Sequence, residues 1–171
     1  KYSFLIALFL TCGTLIGHGQ SPYAKGKKGV DVQFVRIQLP GEKRILTLNE
    51  VEIYSGGKNI APQGKATQIN IASGGPAERA IDGKKSAKYT DKGQTHTSET
   101  TNPWWELDLG KAASITGIGI WNRADGLERR LDGFTLTLFD ADRKKVFEKV
   151  TITAPSGSVH LEPFGNGAAK Y

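Results

Sequence analysis

His96, Arg123, Asp125 and Arg130 are the residues of this 171-residue chain whose types and spacing best suit chemistry on a ligand. Twenty-six residues separate His96 from Arg123, one separates Arg123 from Asp125, and four separate Asp125 from Arg130. A guanidinium offers forked donors that never lose their charge, and a neutral imidazole gives or accepts one bond. Two such forks and one imidazole in a common pocket would suit a ligand dense in hydroxyl groups. Asp125 would orient the arginines by a charge-assisted bond rather than touch the ligand. The same residues also read as solvated loop charges, with Arg123, Arg129 and Arg130 paired to Asp125, Glu128 and Asp132. Spacing alone leaves both readings open.

The elements that must position these residues read as strands. Val30 to Leu39 and Ile45 to Tyr54 carry near-alternating apolar residues on either side of the Pro40-Gly41 turn. Further runs lie at Trp104 to Leu109, Ile115 to Trp121, Gly133 to Phe139, Val146 to Thr153 and Val159 to Leu161. Phe134, Leu136 and Leu138 alternate with Thr135, Thr137 and Phe139, which predicts one inward and one outward face. Between them, residues 58–103 are polar and glycine-rich, with a short strand candidate at Ala66 to Ile71. That stretch reads as a functional loop region or a disordered one. Trp104, Trp105 and Trp121 are all expected to pack the interior. No helical periodicity beyond about two turns is visible, and many short strands separated by turns predict an all-β jelly-roll sandwich.

The two ends read differently. Lys1, the apolar run from Tyr2 to Leu10 and the small residues ending Gly17-His18-Gly19 predict a secretory signal peptide over residues 1–19, cleaved after Gly19. The run is short for a membrane span. Residues 20–29 read as a flexible basic leader, 30–162 as the domain, and 163–171 as a loose tail. Cleavage would remove Cys12, the single cysteine, so the domain would be stabilised without a disulfide. The formal net charge of +6 points weakly to polyanions such as sulfated glycans. With no arginine-rich helix, zinc spacing or nucleic-acid motif, and with export expected, nucleic acid is not an expected partner.

The sequence resembles a known family. Ala80-Ile81-Asp82-Gly83, then Thr95-His96-Thr97, then Asn102-Pro103-Trp104-Trp105, then Trp121 to Leu131 are similar to the fucolectins. These belong to the galactose-binding-like, coagulation-factor type C (discoidin) superfamily. The fucolectin pattern is His, 26 residues, Arg, any residue, Asp, four residues, then Arg or Lys, and every spacing is met. The resemblance covers about residues 31 to 140. It implies a carbohydrate-binding role, with His96, Arg123 and Arg130 on a sugar bearing an axial hydroxyl such as fucose or galactose. Leu127 stands beside them where fucolectins often carry two adjacent cysteines. Ile37 to Gly41 and Leu48 to Tyr54 resemble the strand pair that usually ends such a domain, yet here they come first. This implies a circular permutation, in which the early strands complete the sheet beside the chain's C-terminal strands.

The resemblance also implies a structural calcium ion, Ca2+. Its carboxylates would come from Asp82 and Glu50, with backbone carbonyls falling on Asn49, Arg79, Lys84 and Gly93. Arg79 and Lys84 stand where the family has asparagine, and Gly93 where it has serine. Without a metal, Asp82 simply caps the turn before Gly83. A discoidin-like adhesion module for protein or membrane surfaces is the alternative class. Enzymatic activity is not expected, since the carboxylates two apart at Glu106 and Asp108 are common on edge strands and no hydrolase motif accompanies them. Single sites of this kind bind sugars weakly, so self-association into a homo-oligomer is an expectation as well.

Overall fold

Val35 shows how the sandwich is built. In the computed structural model it pairs with Leu138 on one side and Leu107 on the other, and Leu107 in turn faces Ala66. This row of apolar side chains crosses four strands on one face. Ile37, between Leu136 and Trp105, starts a second row. Such cross-strand rows are the unit of sheet stability. The structure describes residues 29–86, 88–151, 153–154 and 159–163, the last five by backbone only. The expected signal peptide, nearly all of the basic leader and nearly all of the C-terminal tail therefore lie outside the described residues.

Nine strands run in chain order among those residues: β1 (Val30–Gln38), β2 (Glu50–Ser55), β3 (Lys58–Asn59), β4 (Lys65–Gln68), β5 (Trp104–Ile115), β6 (Gly117–Trp121), β7 (Phe134–Phe139), β8 (Lys145–Thr151) and β9 (Val159–Pro163). They form two antiparallel sheets, a five-stranded one in the order β4-β5-β1-β7-β8 and a four-stranded one in the order β3-β2-β6-β9. Val32, Val35, Ile37, Trp105, Leu107, Phe134, Leu136 and Leu138 of the first sheet meet Val51, Ile53, Ile118 and Ile120 of the second in one core. The architecture is the expected all-β sandwich. The early strands complete it, with β1 lying between β5 and β7, next to the later part of the chain. They do so separately, however: β2 belongs to the opposite sheet and pairs with β6.

Two tryptophans face outward against expectation. Trp105 is fully buried, and its indole N–H donates to the Ala77 carbonyl at 3.0 Å. Its neighbour Trp104 points the other way and lies half-buried under the Arg36 guanidinium, 4.7 Å from the ring centre. Trp121 is also half-buried on an outer face, where Lys85 sits 4.6 Å from its ring and Glu52 accepts from its indole N–H at 2.9 Å. A stacked cation and a bonded N–H let an indole cover a sheet without entering the core. Glu106, two residues after Trp104, is clamped by Arg36 at 2.9 Å and by Arg143 at 2.7 Å. Asp108 accepts from Gln33 and from the Gly110 N–H. Both carboxylates thus hold the outer sheet face together.

The polar stretch 58–103 is ordered by local turns and short 3-10 helices at Ala61–Gln63, Ala77–Ile81 and Tyr89–Asp91. The strand expected at Ile45 to Tyr54 begins only at Glu50. At one end of the sandwich β1, β4 and β6 finish, while β2, β5 and β7 begin. The connections 39–49, 69–103 and 122–133 gather there. Replacing Trp105→Phe keeps most of the ring volume but leaves the Ala77 carbonyl without its donor. The expected loss is about 1–3 kcal/mol of unfolding free energy, measured by denaturant titration.

Candidate functional site

His96 is held between two threonines that face inward. Thr95 and Thr97 are each 1% exposed. Their hydroxyls accept from the N–H groups of Leu48 and Leu46, both at 2.9 Å. Their own N–H groups donate back to the Leu48 and Leu46 carbonyls. With both neighbours turned in, the alternation of extended chain turns His96 outward. On the other side, Ala72 N–H donates to the His96 carbonyl, and His96 N–H to that of Gly75, both at 2.9 Å. The approach is so close that a Cβ at position 75 would fall 2.5 Å from the His96 nitrogen.

The ring itself has one defined polarity. His96 Nδ1 lies 2.8 Å from the Thr97 carbonyl, which can only accept, so Nδ1 carries the proton and donates. In the neutral ring Nε2 is then an acceptor. Burial lowers the imidazole's pKa below the usual histidine range. The charges of Arg130 and Arg123 push the same way, against the Thr97 bond. Both guanidinium groups are therefore close enough for their charges to be felt at His96.

Arg123 is 4% exposed and forked onto Asp125, with Nε–Oδ1 at 2.5 Å and Nη2–Oδ2 at 2.8 Å. Asp125 also accepts from the Tyr89 N–H at 2.9 Å, and the Arg123 bond, the largest influence, holds its carboxyl below the ordinary range. Arg123 Nη1 is shielded from solvent and has no partner among the described residues. The solvated-charge reading instead fits Arg129, whose side chain is 94% exposed beside Asp132. Arg130 has no carboxylate partner among the described residues. Its loop is fastened by Asn122, which donates to the Glu128 carbonyl, and by the Glu128 carboxylate on Gly126 N–H. Leu127 is 42% exposed just before the short 3-10 helix Glu128–Leu131.

Two contributors are not evident from the sequence. Tyr89 sets its ring edge-on to His96, with centroids 6.2 Å apart, and 6.0 Å from the Arg123 guanidinium. Its only signal was an aromatic residue inside a polar loop. Arg44 donates to the carbonyls of Arg130 at 3.2 Å and Asp132 at 2.6 Å, tying the 39–49 connection to the arginine loop.

The residues expected around calcium lie beside this pocket. Glu50 is fully buried at the start of β2, and the Gly83 N–H donates to both its oxygens at 3.2 and 3.3 Å. Burial, with Asp82 and Glu52 nearby, pushes its carboxyl up to about 7. Asn49 is 1% exposed, and neither its amide oxygen nor its nitrogen has a partner among the described residues. Gly93 packs against it, since a Cβ there would sit 3.5 Å from Asn49 Oδ1. Asp82 accepts from the Lys84 N–H at 2.9 Å and lies 3.4 Å from the Lys84 ammonium. Arg79 turns its guanidinium to the Gln94 carbonyl at 3.4 Å. Among the described residues no three His, Cys, Asp or Glu side chains gather closely enough to hold a metal by themselves. Two carboxylates, an unpaired buried amide oxygen and loop carbonyls remain an oxygen donor set of the kind calcium takes.

A two-sheet antiparallel sandwich with its polar pocket among the end loops defines a galactose-binding-like domain. The model of the NedA-like, galactose-binding domain family (F5/F8 type C) matches residues 79–171, and the chain belongs to that family. Fucolectin-1 of Anguilla japonica is 37% identical over 81 residues, which cover 44% of this chain and 46% of that protein. The fucolectin of Anguilla anguilla is 35% identical over 86 residues, covering 47% and 54%. The chain thus spans about half the length of the curated relatives it matches. A solved fucose binding module of Streptococcus pneumoniae superposes with a TM-score of 0.60 at 31% identity, over 68% of this chain and 82% of the module.

Because the 72–75 turn lies directly against His96, Gly75→Ala forces the two segments apart. The expected cost is about 1–3 kcal/mol of stability in denaturant titration, with a displaced His96 imidazole resonance by NMR.

Proposed function

We propose that this domain binds carbohydrate, holding a fucose- or galactose-type sugar between His96, Arg123 and Arg130. The reading rests above all on the convergence of one neutral imidazole and two guanidinium groups that the sequence spaces far apart. His96 Nε2 accepts a bond from an axial hydroxyl. Arg123 and Arg130 donate to neighbouring hydroxyls or the ring oxygen, while Asp125 holds the Arg123 fork in place. Leu127 and Tyr89 add apolar surface for the sugar's C–H face. Arg123 Nη1 gives the pocket a reserve of binding energy, since a buried donor without a partner is costly and a sugar oxygen would satisfy it. A small shift of the covering side chains is needed for that bond to form. The names of the fucolectin relatives and of the fucose binding module support the same class of ligand.

Calcium completes the proposal as a structural ion held by Asp82, Glu50 and the carbonyls of Asn49, Arg79, Lys84 and Gly93. The buried, unsatisfied Asn49 amide and the buried Glu50 carboxylate support it. The ion would fix the 79–93 loop and so the extended segment that carries His96. Export is proposed from residues 1–19. Non-enzymatic binding is proposed because Glu106 and Asp108 are already committed to sheet contacts.

Retention on fucose-agarose, eluted by free fucose, tests the pocket. His96→Ala and Arg123→Lys are each expected to weaken retention at least about tenfold, the equivalent of one good hydrogen bond. Lysine keeps the charge while losing the fork, so the fold should survive that change. Undiminished retention by both variants would remove the sugar pocket. Acid is expected to release the column, because protonation converts Nε2 from acceptor to donor. Since the pKa of His96 is lowered, the midpoint should fall below 6.5, the ordinary histidine value. For calcium, chelator should lower the melting temperature and added Ca2+ should restore it in the wild type but not in Glu50→Gln. A melting temperature indifferent to chelator would count against the ion.

A further inference from the structure

Tyr89 also lines a cleft of about 380 Å³, together with Ser73, Gly74, Arg79, Thr90 and Lys92. Its chemistry differs from that of the sugar pocket. Two cations and three hydroxyl-bearing side chains line it, and no carboxylate does. Neither Arg79 nor Lys92 has a carboxylate partner among the described residues. The nearby carboxylate of Asp91 is taken up by the Ser86 hydroxyl. Arg79 is half-buried and anchored on the Gln94 carbonyl, so one cation is fixed while the exposed Lys92 closes the other side.

The cleft is also joined rigidly to His96. Its Ser73-Gly74 wall belongs to the turn whose residues 72 and 75 bond both backbone groups of His96. Tyr89, also in the lining, has its backbone N–H fixed by Asp125. A saccharide unit seated on His96 would therefore place its neighbour, or a substituent of its own, past Tyr89 into a positively charged slot.

We propose that this cleft is a subsite for an anionic substituent, a sulfate ester or a uronate carboxylate, on a glycan whose fucose- or galactose-type unit occupies the His96 pocket. The subsite deepens the carbohydrate reading and rests on it. Arg79 gives the anion a planar fork, Lys92 gives a mobile charge, and Ser73 and Thr90 give hydroxyl donors. Two cations without a carboxylate partner that face an open cleft gain from a paired anion, and that gain is weakened by salt.

The test is titration calorimetry with methyl fucoside, a neutral fucosylated oligosaccharide, the same oligosaccharide carrying a sulfate on the residue next to fucose, and a uronate-bearing counterpart. Lys92→Asn removes the charge while keeping a residue that tolerates the left-handed backbone at this position, φ 54°. Lys111→Asn, at an exposed site in the far half of β5, controls for net charge. Wild type should bind one or both anionic ligands about tenfold more tightly than the neutral parent. Lys92→Asn should abolish that preference and leave methyl fucoside binding unchanged, whereas Lys111→Asn should alter neither. The sulfate and uronate arms decide which anion the slot takes. Equal affinity for neutral and anionic ligands in wild type, or an equal loss in both variants, would overturn the subsite. If methyl fucoside fails to bind while the Lys92-dependent preference persists, the fucose pocket is wrong and the anion slot stands.

Discussion

The position of β1 is the constraint on which the rest of the structure depends. It is bonded along both edges, to β5 and to β7, and its inward Val35 and Ile37 sit in the middle of the apolar rows that cross the larger sheet. Without it the pair β4-β5 and the pair β7-β8 would present bare edges to each other. The chain reaches β2 only after crossing from this sheet to the other, and the 39–49 connection that makes the crossing lies under the site. One strand placement thereby fixes the core and brings Leu46 and Leu48 to the backbone they share with Thr95 and Thr97.

From that contact the polar end is built outward. Thr95 and Thr97 hold His96 facing out. The Gly75 turn backs it, and the loop after β6 delivers Arg123 already forked on Asp125. The oxygen-rich neighbourhood of Asn49, Glu50 and Asp82 lies one loop away, so a cation there would act on the pocket through the backbone rather than by contact.

Much of this was legible in the residues themselves. The clean alternation of Phe134 to Phe139 gave the correct inward face, and of the spaced residues Arg123 and Asp125 meet in a fork, with Tyr89 close to both Arg123 and His96. Periodicity failed where side chains on one strand have two apolar destinations. Trp104 and Trp105 are equally apolar neighbours, and only the stacked Arg36 lets the first remain outside. The 58–103 segment was opaque for another reason. Its order comes from backbone bonds between distant turns, such as Ala72 with His96, and such bonds leave no pattern in residue type. Tyr89 and Arg44 were missed on the same ground, because their roles are set by what lies across space from them. The identity of a bound ion is likewise a matter of carbonyl placement, on which residue type is silent.

The Arg44 side chain joins two loops that serve different ends. One leads into Asn49 and Glu50, and the other carries Arg130 and Asp132. A single planar group spanning them ties the pair together. Rigidity of this kind lowers the entropy lost on capture, since the donors are already immobile when a ligand arrives. A ligand taken up at this end of the sandwich would therefore owe part of its affinity to a side chain whose observed bonds all go to the protein's own backbone.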